Sequence, residues 1–237
     1  MIGYDDQLAN TFSPSDSGPI YQETLIAHDH FFAEPWNAIS SLAIVLPAIY
    51  WAIKLKKHQV RDFLFMWYCI PLLILGGTGS TLYHGFRNSE WLLLLDVLPT
   101  ALMTLSIGIL FWVRYLKNWY ITIGLFVLSF IFRYFIYQVA SDHTATNIAY
   151  FVTGTLIFLP ILLYLKRNNW LGLKWILLSV LFLVLSLVFR EIDRRGIFGL
   201  EMGTHFLWHL LSGVGAYYLA RFLYILRLFE LNTNKLA

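Results

Sequence analysis

The chain has 237 residues, of which 58% are hydrophobic and 13% charged, and its formal net charge is +3. Soluble domains carry about 25% charged residues, so this composition excludes an ordinary soluble domain, and the small net charge gives no support for nucleic-acid binding. Long uninterrupted apolar runs predict membrane-spanning helices instead. The single cysteine, Cys69, lies inside one of these runs, which excludes an intramolecular disulfide.

The chain opens with a polar, acidic segment, residues 1–35, that contains no lysine or arginine. This segment lacks the basic start and apolar centre of a signal peptide. Because it carries no basic residue, the positive-inside rule predicts an extracytoplasmic N-terminal segment. Residues 36–237 are expected to form a single membrane domain.

Seven runs in that domain are long enough to cross a hydrocarbon core about 30 Å thick, which takes roughly 20 helical residues. The predicted spans are residues 36–53, 63–84, 91–113, 119–138, 146–165, 170–189 and 204–229. Four of them begin at or beside a tryptophan, which favours the membrane interface. The predicted fold class is an all-α membrane protein with a seven-transmembrane helix bundle and an intramembrane metal site.

The charges predict how the spans are oriented. An odd number of spans puts the termini on opposite sides, and 12 of the 17 lysines and arginines fall on the side of the C-terminus. The positive-inside rule therefore predicts a cytoplasmic C-terminus and an extracytoplasmic N-terminus. Short loops favour a bacterial inner membrane over an ER or Golgi membrane.

Polar residues from three spans are predicted to meet near the extracytoplasmic face. Ser80 and His84 end the second span, Asp96 lies near the start of the third, and His205 and His209 open the seventh. Residues four apart share one helix face, so each pair presents its side chains together. An HxxxH pair alone is typical of two histidines that bind neighbours at the interface. Ionisable groups inside a membrane are costly and normally face a partner, and the whole set favours a common metal ion.

Three neutral imidazoles suit zinc and leave a fourth position for water, although copper or iron accept the same ligands. Zinc brings the pKa of a bound water to near 7. Asp96 would then accept the proton of that water, and Ser80 would donate a hydrogen bond to a developing oxyanion. Glycines beside these residues would let the helices approach closely.

This arrangement resembles the alkaline ceramidases and the wider CREST superfamily, which includes the adiponectin and progestin receptors. The similarity covers all seven spans, and "FFAEPWNAISSLA" before the first span is similar to the ceramidase branch. The resemblance implies that His84, His205 and His209 bind zinc, that Asp96 is the base and that Ser80 stabilises the oxyanion. The implied reaction is hydrolysis of the amide bond of a ceramide-like membrane lipid to a fatty acid and a long-chain base.

The resemblance also bears on calcium. Animal alkaline ceramidases have a calcium site with an Asp-Trp-x-Glu-x-Asn pattern and a later Glu, and the corresponding stretch here is "IYQETL". Glu23 and Glu34 match the two glutamates and are the candidate calcium ligands. Ile20 and Leu25 replace the Asp and the Asn, which argues against calcium binding. Otherwise Glu23 and Glu34 are expected to be ordinary acidic surface residues.

Two other functions fit parts of the sequence. A seven-span receptor similar to the adiponectin and progestin receptors would use the zinc as a structural ion, but short cytoplasmic loops leave little signalling surface. A metal transporter needs ligands across the membrane depth, whereas these ligands lie near one face. The histidines of "HDH", residues 28–30, are expected to be solvated, and "REIDRR", residues 190–195, is expected to be a solvated loop with internal ion pairs. No linear pattern identifies the exact lipid substrate or the oligomeric state.

Overall fold

The computed structural model describes residues 14–26 and 32–236, and every regular element in them is helical. A short helix, α1, covers Gln22–Ile26. The long helices that follow in the described part of the chain are α2 (Pro35–Leu55), α3 (Leu64–Phe86), α4 (Glu90–Leu116), α5 (Trp119–Val139), α6 (Asp142–Arg167), α7 (Leu173–Arg195) and α8 (His205–Leu236). Each long helix covers one predicted span, and a 3-10 turn, Val60–Phe63, precedes α3.

Six stretches among the described residues are long and apolar enough to cross a membrane. They are Pro35–Leu55, Val60–Phe86, Glu90–Leu116, Trp119–Val139, Asp142–Arg167 and Leu173–Arg195. Helix α8 is not among them, because His205, His209, Arg221 and Arg227 make it more polar. The chain is thus an all-helical integral membrane protein in which six of the seven predicted spans are supported.

Helix α2 shows how a membrane-spanning helix divides its faces. One face is buried at every seventh position, at Ser41, Ala48 and Leu55. The opposite face carries apolar side chains that are 60–68% exposed, at Ile39, Leu46 and Ile53. Large exposed aliphatic side chains in such a row are typical of a surface that faces lipid.

The structure consists of two compact units. One comprises Met1–Thr100 and Gly172–Ala237, and the other comprises Ala101–Leu171. In the first unit α8 packs against both α2 and α7, and α2 also packs against α3. Glycines allow these close contacts: a Cβ on Gly77 would lie 2.6 Å from Val45 Cγ2, and one on Gly215 would lie 2.8 Å from Leu183 Cγ. The sequence-based expectation of close helix packing at these glycines is confirmed.

The second unit contains α5, α6 and the C-terminal part of α4. Its α4 segment meets α6 where the indole of Trp112 donates a hydrogen bond to the Leu156 carbonyl at 2.9 Å. The buried side chains of Phe111 and Ile161 contribute to the apolar core. All the predicted site residues lie in the first unit.

Candidate metal centre

Three buried imidazoles meet where α3 ends and α8 begins. His84 lies in the last turn of α3, while His205 and His209 open α8. None is more than 2% exposed, and each offers a ring nitrogen that lies within 4.8 Å of those of the other two. The structure therefore brings together the three histidines that the sequence predicted, in a group that could hold a metal ion.

A carboxylate fixes the orientation of His84. Nδ1 of His84 lies 2.5 Å from Oε2 of Glu34, which is fully buried. Burial alone would raise the pKa of Glu34, but the hydrogen bond from His84 and the charge of Arg87 lower it to about 2. The ionised carboxylate accepts the proton of Nδ1, which leaves the lone pair of His84 Nε2 available for another partner.

Two serines of α2 fix His209 in the same way. Nδ1 of His209 lies 2.9 Å from Ser40 Oγ and 3.2 Å from Ser41 Oγ. Both hydroxyls are within hydrogen-bond distance of the Asn37 carbonyl, at 3.0 and 2.8 Å. A serine that donates to this carbonyl accepts the proton of His209 Nδ1, so Nε2 again keeps its lone pair.

His205 is held by its backbone and by an aromatic ring. Its backbone N–H donates to Asp193 Oδ1 at 3.0 Å, and the ring of Tyr21 stacks on its imidazole with centroids 3.9 Å apart. Nδ1 of His205 is buried and has no hydrogen-bond partner among the described residues. A buried polar atom without a partner is costly, as expected where a ligand from outside the chain completes the site.

Asp96 and Ser80 lie beside the histidines, as the sequence predicted. The Ser80 hydroxyl lies close to the Asp96 carboxylate, and Ser41 Oγ lies 3.0 Å from Ser80 Oγ. Ser80 is almost fully buried, whereas Asp96 is half-buried. Because Ser41 also contacts His209, a row of hydroxyls connects that histidine to the carboxylate of Asp96.

Two glycines of α3 bring α4 close enough for this contact. A Cβ on Gly79 would lie 2.5 Å from the Leu95 carbonyl oxygen, and one on Gly76 would lie 2.5 Å from Thr100 Cγ2. The sequence places Asp96 directly after Leu95. The absence of side chains at Gly76 and Gly79 therefore sets the distance between Ser80 and Asp96.

The two candidate calcium ligands are buried, contrary to the expectation of ordinary surface acids. Both oxygens of Glu23 cap α2, accepting the backbone N–H groups of Trp36 and Asn37 at 2.7 and 2.9 Å. Burial raises the pKa of Glu23 to about 7, and these two hydrogen bonds limit the rise. Glu34 accepts hydrogen bonds from Thr24 and Asn37 in addition to its contacts with His84 and Arg87. Calcium binding at these residues stays a prediction.

A buried arginine that the sequence analysis missed holds the N-terminal segment against this site. Arg87 ends α3 in the left-handed conformation, with φ 46°. Its guanidinium binds Glu34 and makes two hydrogen bonds of 3.0 Å to the carboxylate of Asp16. Its nearest carboxylates raise the pKa of Arg87 although burial alone would lower it. The only sequence signal was a charged residue three positions after His84, a predicted ligand.

The prediction that "REIDRR" is a loop is wrong, because this stretch forms the C-terminal end of α7. Glu191 binds Arg194 and Arg195, whose side chains are 49% and 57% exposed, as expected for solvated charges. Asp193, in contrast, is 2% exposed and contacts the start of α8. It lies on a different face of α7 from Arg194 and Arg195, the two residues that follow it. His28 and His30 lie outside the described residues.

Chemically, the centre combines three nitrogen donors with a carboxylate and a hydroxyl. A metal held by the imidazoles would lie near the carboxylate of Asp96 and the hydroxyl of Ser80. The profile of the ceramidase family matches residues 23–237, which is all but the first 22 residues of the chain. A comparison with curated proteins finds no match. The family match favours an enzyme over the receptor and transporter alternatives. The chain belongs to the ceramidase family, whose reaction is hydrolysis of the amide bond of the membrane lipid ceramide.

Proposed function

We propose that this ceramidase is a zinc enzyme in which His84, His205 and His209 bind the metal. The observation that carries the proposal is the approach of three buried imidazoles to within 4.8 Å. Acceptors at Nδ1 of His84 and His209 support it, because histidines that bind metals usually donate their second N–H to such partners. Three neutral nitrogen donors are typical of catalytic zinc.

Zinc, when bound, would supply Lewis-acid activation of water and of the amide carbonyl. Asp96 accepts a proton from the attacking water as the new carbon–oxygen bond forms. It then gives a proton to the amine nitrogen as the carbon–nitrogen bond breaks, which releases the fatty acid and the long-chain base.

Ser80 is proposed to stabilise the carbonyl oxygen as negative charge develops on it. Its hydroxyl lies close to the Asp96 carboxylate, to which we propose that it donates a hydrogen bond before the reaction. Once Asp96 takes up a proton it becomes a weaker acceptor, so the Ser80 hydroxyl is free to turn towards the oxyanion. The contact between Ser80 and Asp96 thereby couples proton uptake to oxyanion stabilisation.

The proposal includes the membrane arrangement. Helix α8 is the seventh span, residues 1–35 form the extracytoplasmic segment, and residues 36–237 form the membrane domain. The site then lies near the extracytoplasmic face, in a bacterial inner membrane in preference to an ER or Golgi membrane. Around the half-buried Asp96, α4 exposes the apolar side chains of Leu94, Val97 and Leu98, which suit entry of a ceramide from the lipid.

Calcium is left out of the proposed function. Each carboxylate oxygen of Glu23 and Glu34 already accepts a hydrogen bond from the protein. A calcium ion there would have to displace several of these donors, including those that fix the start of α2.

The test is the metal content and ceramide hydrolysis of the purified protein in detergent. Wild type should contain about one zinc per chain, and His205→Ala should lose both zinc and activity. Asp96→Asn should keep the zinc and lose about 10²–10⁴-fold in kcat, and Ser80→Ala about 10²–10³-fold. His143→Ala, a histidine in the second unit, is the control. Full activity in metal-free wild type would reject the proposal.

A further inference from the structure

Asp193 joins the start of α8 to the N-terminal segment, where it contacts Gln22, 171 residues earlier in the sequence. Its Oδ1 accepts the backbone N–H groups of Thr204 and His205, at 2.6 and 3.0 Å. Its Oδ2 accepts the backbone N–H of Gln22 at 3.2 Å. One buried carboxylate thus contacts the first residue of α8 and the first residue of α1.

The two contacts have different consequences. The Oδ1 contacts cap α8 at the position where the helix begins with His205, so they set the height and rotation of that imidazole. The Oδ2 contact holds Gln22, whose neighbour Tyr21 stacks on the same imidazole at 3.9 Å. Asp193 therefore fixes both His205 and the ring that covers it.

The loop between α7 and α8 is shaped to let the carboxylate reach these groups. Gly203 has φ +64°, in the region that favours glycine, and a Cβ there would collide with Asp193 Oδ1 and lie 2.8 Å from Gln22 Cβ. Thr204 Oγ1 also donates to the Phe189 carbonyl at 2.8 Å, which ties the end of the loop back to α7. The carboxylate of Asp193 is thus surrounded by backbone from the N-terminal segment and from the loop that leads into α8.

From this geometry we propose that Asp193 is a positioning residue, which holds His205 in place to bind metal and secures residues 14–26 over the site. The inference rests on the proposed metal site. It assigns Asp193 no contact with substrate. Loss of the carboxylate is expected to weaken metal binding through His205 and to release the N-terminal segment, beyond any effect on global stability.

The experiment compares wild type, Asp193→Ala, Asp193→Asn and the control Glu191→Gln, which changes an acid two residues away. Zinc affinity is measured by competition with a chelator, and hydrogen exchange is measured in the peptide covering residues 14–26. Asp193→Ala should lose about 10–100-fold in zinc affinity and exchange faster in this peptide. Glu191→Gln should match wild type in both measurements.

Asp193→Asn separates the two contacts. Its single acceptor oxygen should stay with the two N–H groups of Thr204 and His205, which places the amide NH₂ against the N–H of Gln22. We therefore expect faster exchange in residues 14–26, with a smaller loss of zinc affinity than in Asp193→Ala. If Asp193→Ala does not fold, the inference is overturned when residues 14–26 of Asp193→Asn exchange hydrogen at the rate of wild type.

The inference would also be overturned if Asp193→Ala had the zinc affinity and the hydrogen exchange of wild type. This holds even if the melting temperature of Asp193→Ala were lowered, because zinc affinity and exchange would still be unchanged. If wild type itself binds no zinc, the proposed function fails. The exchange measurement still decides whether Asp193 secures the N-terminal segment.

Discussion

Glu34 binds His84 and Arg87 with its two different oxygens. Oε2 lies 2.5 Å from His84 Nδ1, and Oε1 accepts a hydrogen bond from the Arg87 guanidinium. His84, a proposed metal ligand, is thereby connected through one buried carboxylate to a buried cation. The orientation of His84 and the attachment of the N-terminal segment depend on the same side chain.

Glu34→Gln should therefore weaken zinc binding and folding together. The amide keeps one acceptor oxygen, so it can serve His84 or Arg87 but not both. We expect a loss of about 10–100-fold in zinc affinity and up to about 3–5 kcal/mol in the free energy of unfolding. Glu230→Gln, which alters the part-exposed pair with Arg227, should cost at most about 1 kcal/mol. Chelator competition and denaturant unfolding measure the two effects, and wild-type values in Glu34→Gln would contradict the role assigned to Glu34.

The serines of α2 should act on His209 as a pair. Replacing both Ser40 and Ser41 by alanine removes the two acceptors of Nδ1, and we expect zinc affinity to fall about 10–100-fold. Either single replacement should have a smaller effect, because one hydroxyl remains. Ser186→Ala, at a buried serine of α7 bonded to the Leu183 carbonyl, is the matched control. Equal affinities for the double variant and this control would show that the hydroxyls do not orient His209.

Gly79→Ala should separate activity from metal binding. The added methyl group would meet the Leu95 carbonyl, which pushes α4 and Asp96 away from Ser80 and costs about 1–3 kcal/mol by overpacking. All three histidines lie outside α4, so zinc content should stay near that of wild type while ceramide hydrolysis falls. Gly154→Ala has open space around its new methyl group and should keep full activity. A fully active Gly79→Ala would argue against this role of the α3–α4 contact.

Acid should loosen the N-terminal segment through Asp16. Burial alone would raise the pKa of Asp16, but its hydrogen bonds to Arg87 outweigh this effect and lower it. The stabilisation from this pair is therefore complete above the unfolded pKa of about 3.9 and is lost as pH falls through the lower folded value. Proteolysis or hydrogen exchange of residues 14–26 should show increased opening below about pH 4. Asp16→Asn should already be open at neutral pH and respond less to acid; an identical pH response would contradict this account.

The sequence predicted the residues that local spacing can reveal. His205 and His209, and Ser80 and His84, lie four apart on helices, and Asp96 interrupts an apolar run. Such patterns depend only on neighbours in the chain, and for the same reason each long helix was located, although α7 and α8 extend well beyond the predicted ends at residues 189 and 229.

The partners of these residues could not be predicted, because the contacts join distant parts of the chain. Glu34 lies 50 residues from His84, and Gln22 lies 171 residues from Asp193. Glu34 looked like a calcium ligand or surface acid, and Asp193 like one charge among several in a solvated stretch. Only tertiary packing shows that each carboxylate is buried and which backbone or side-chain donors it meets.

The order of the three imidazoles along the chain has a consequence for biosynthesis. His84 is made early, whereas His205 and His209 belong to the last helix. If the proposed zinc site is correct, a nascent polypeptide on the ribosome has a single metal ligand until α8 has been synthesised and inserted. Partly translated chains that lack α8 would thus be unable to cleave lipid, and catalytic competence would begin only after α8 has joined α3.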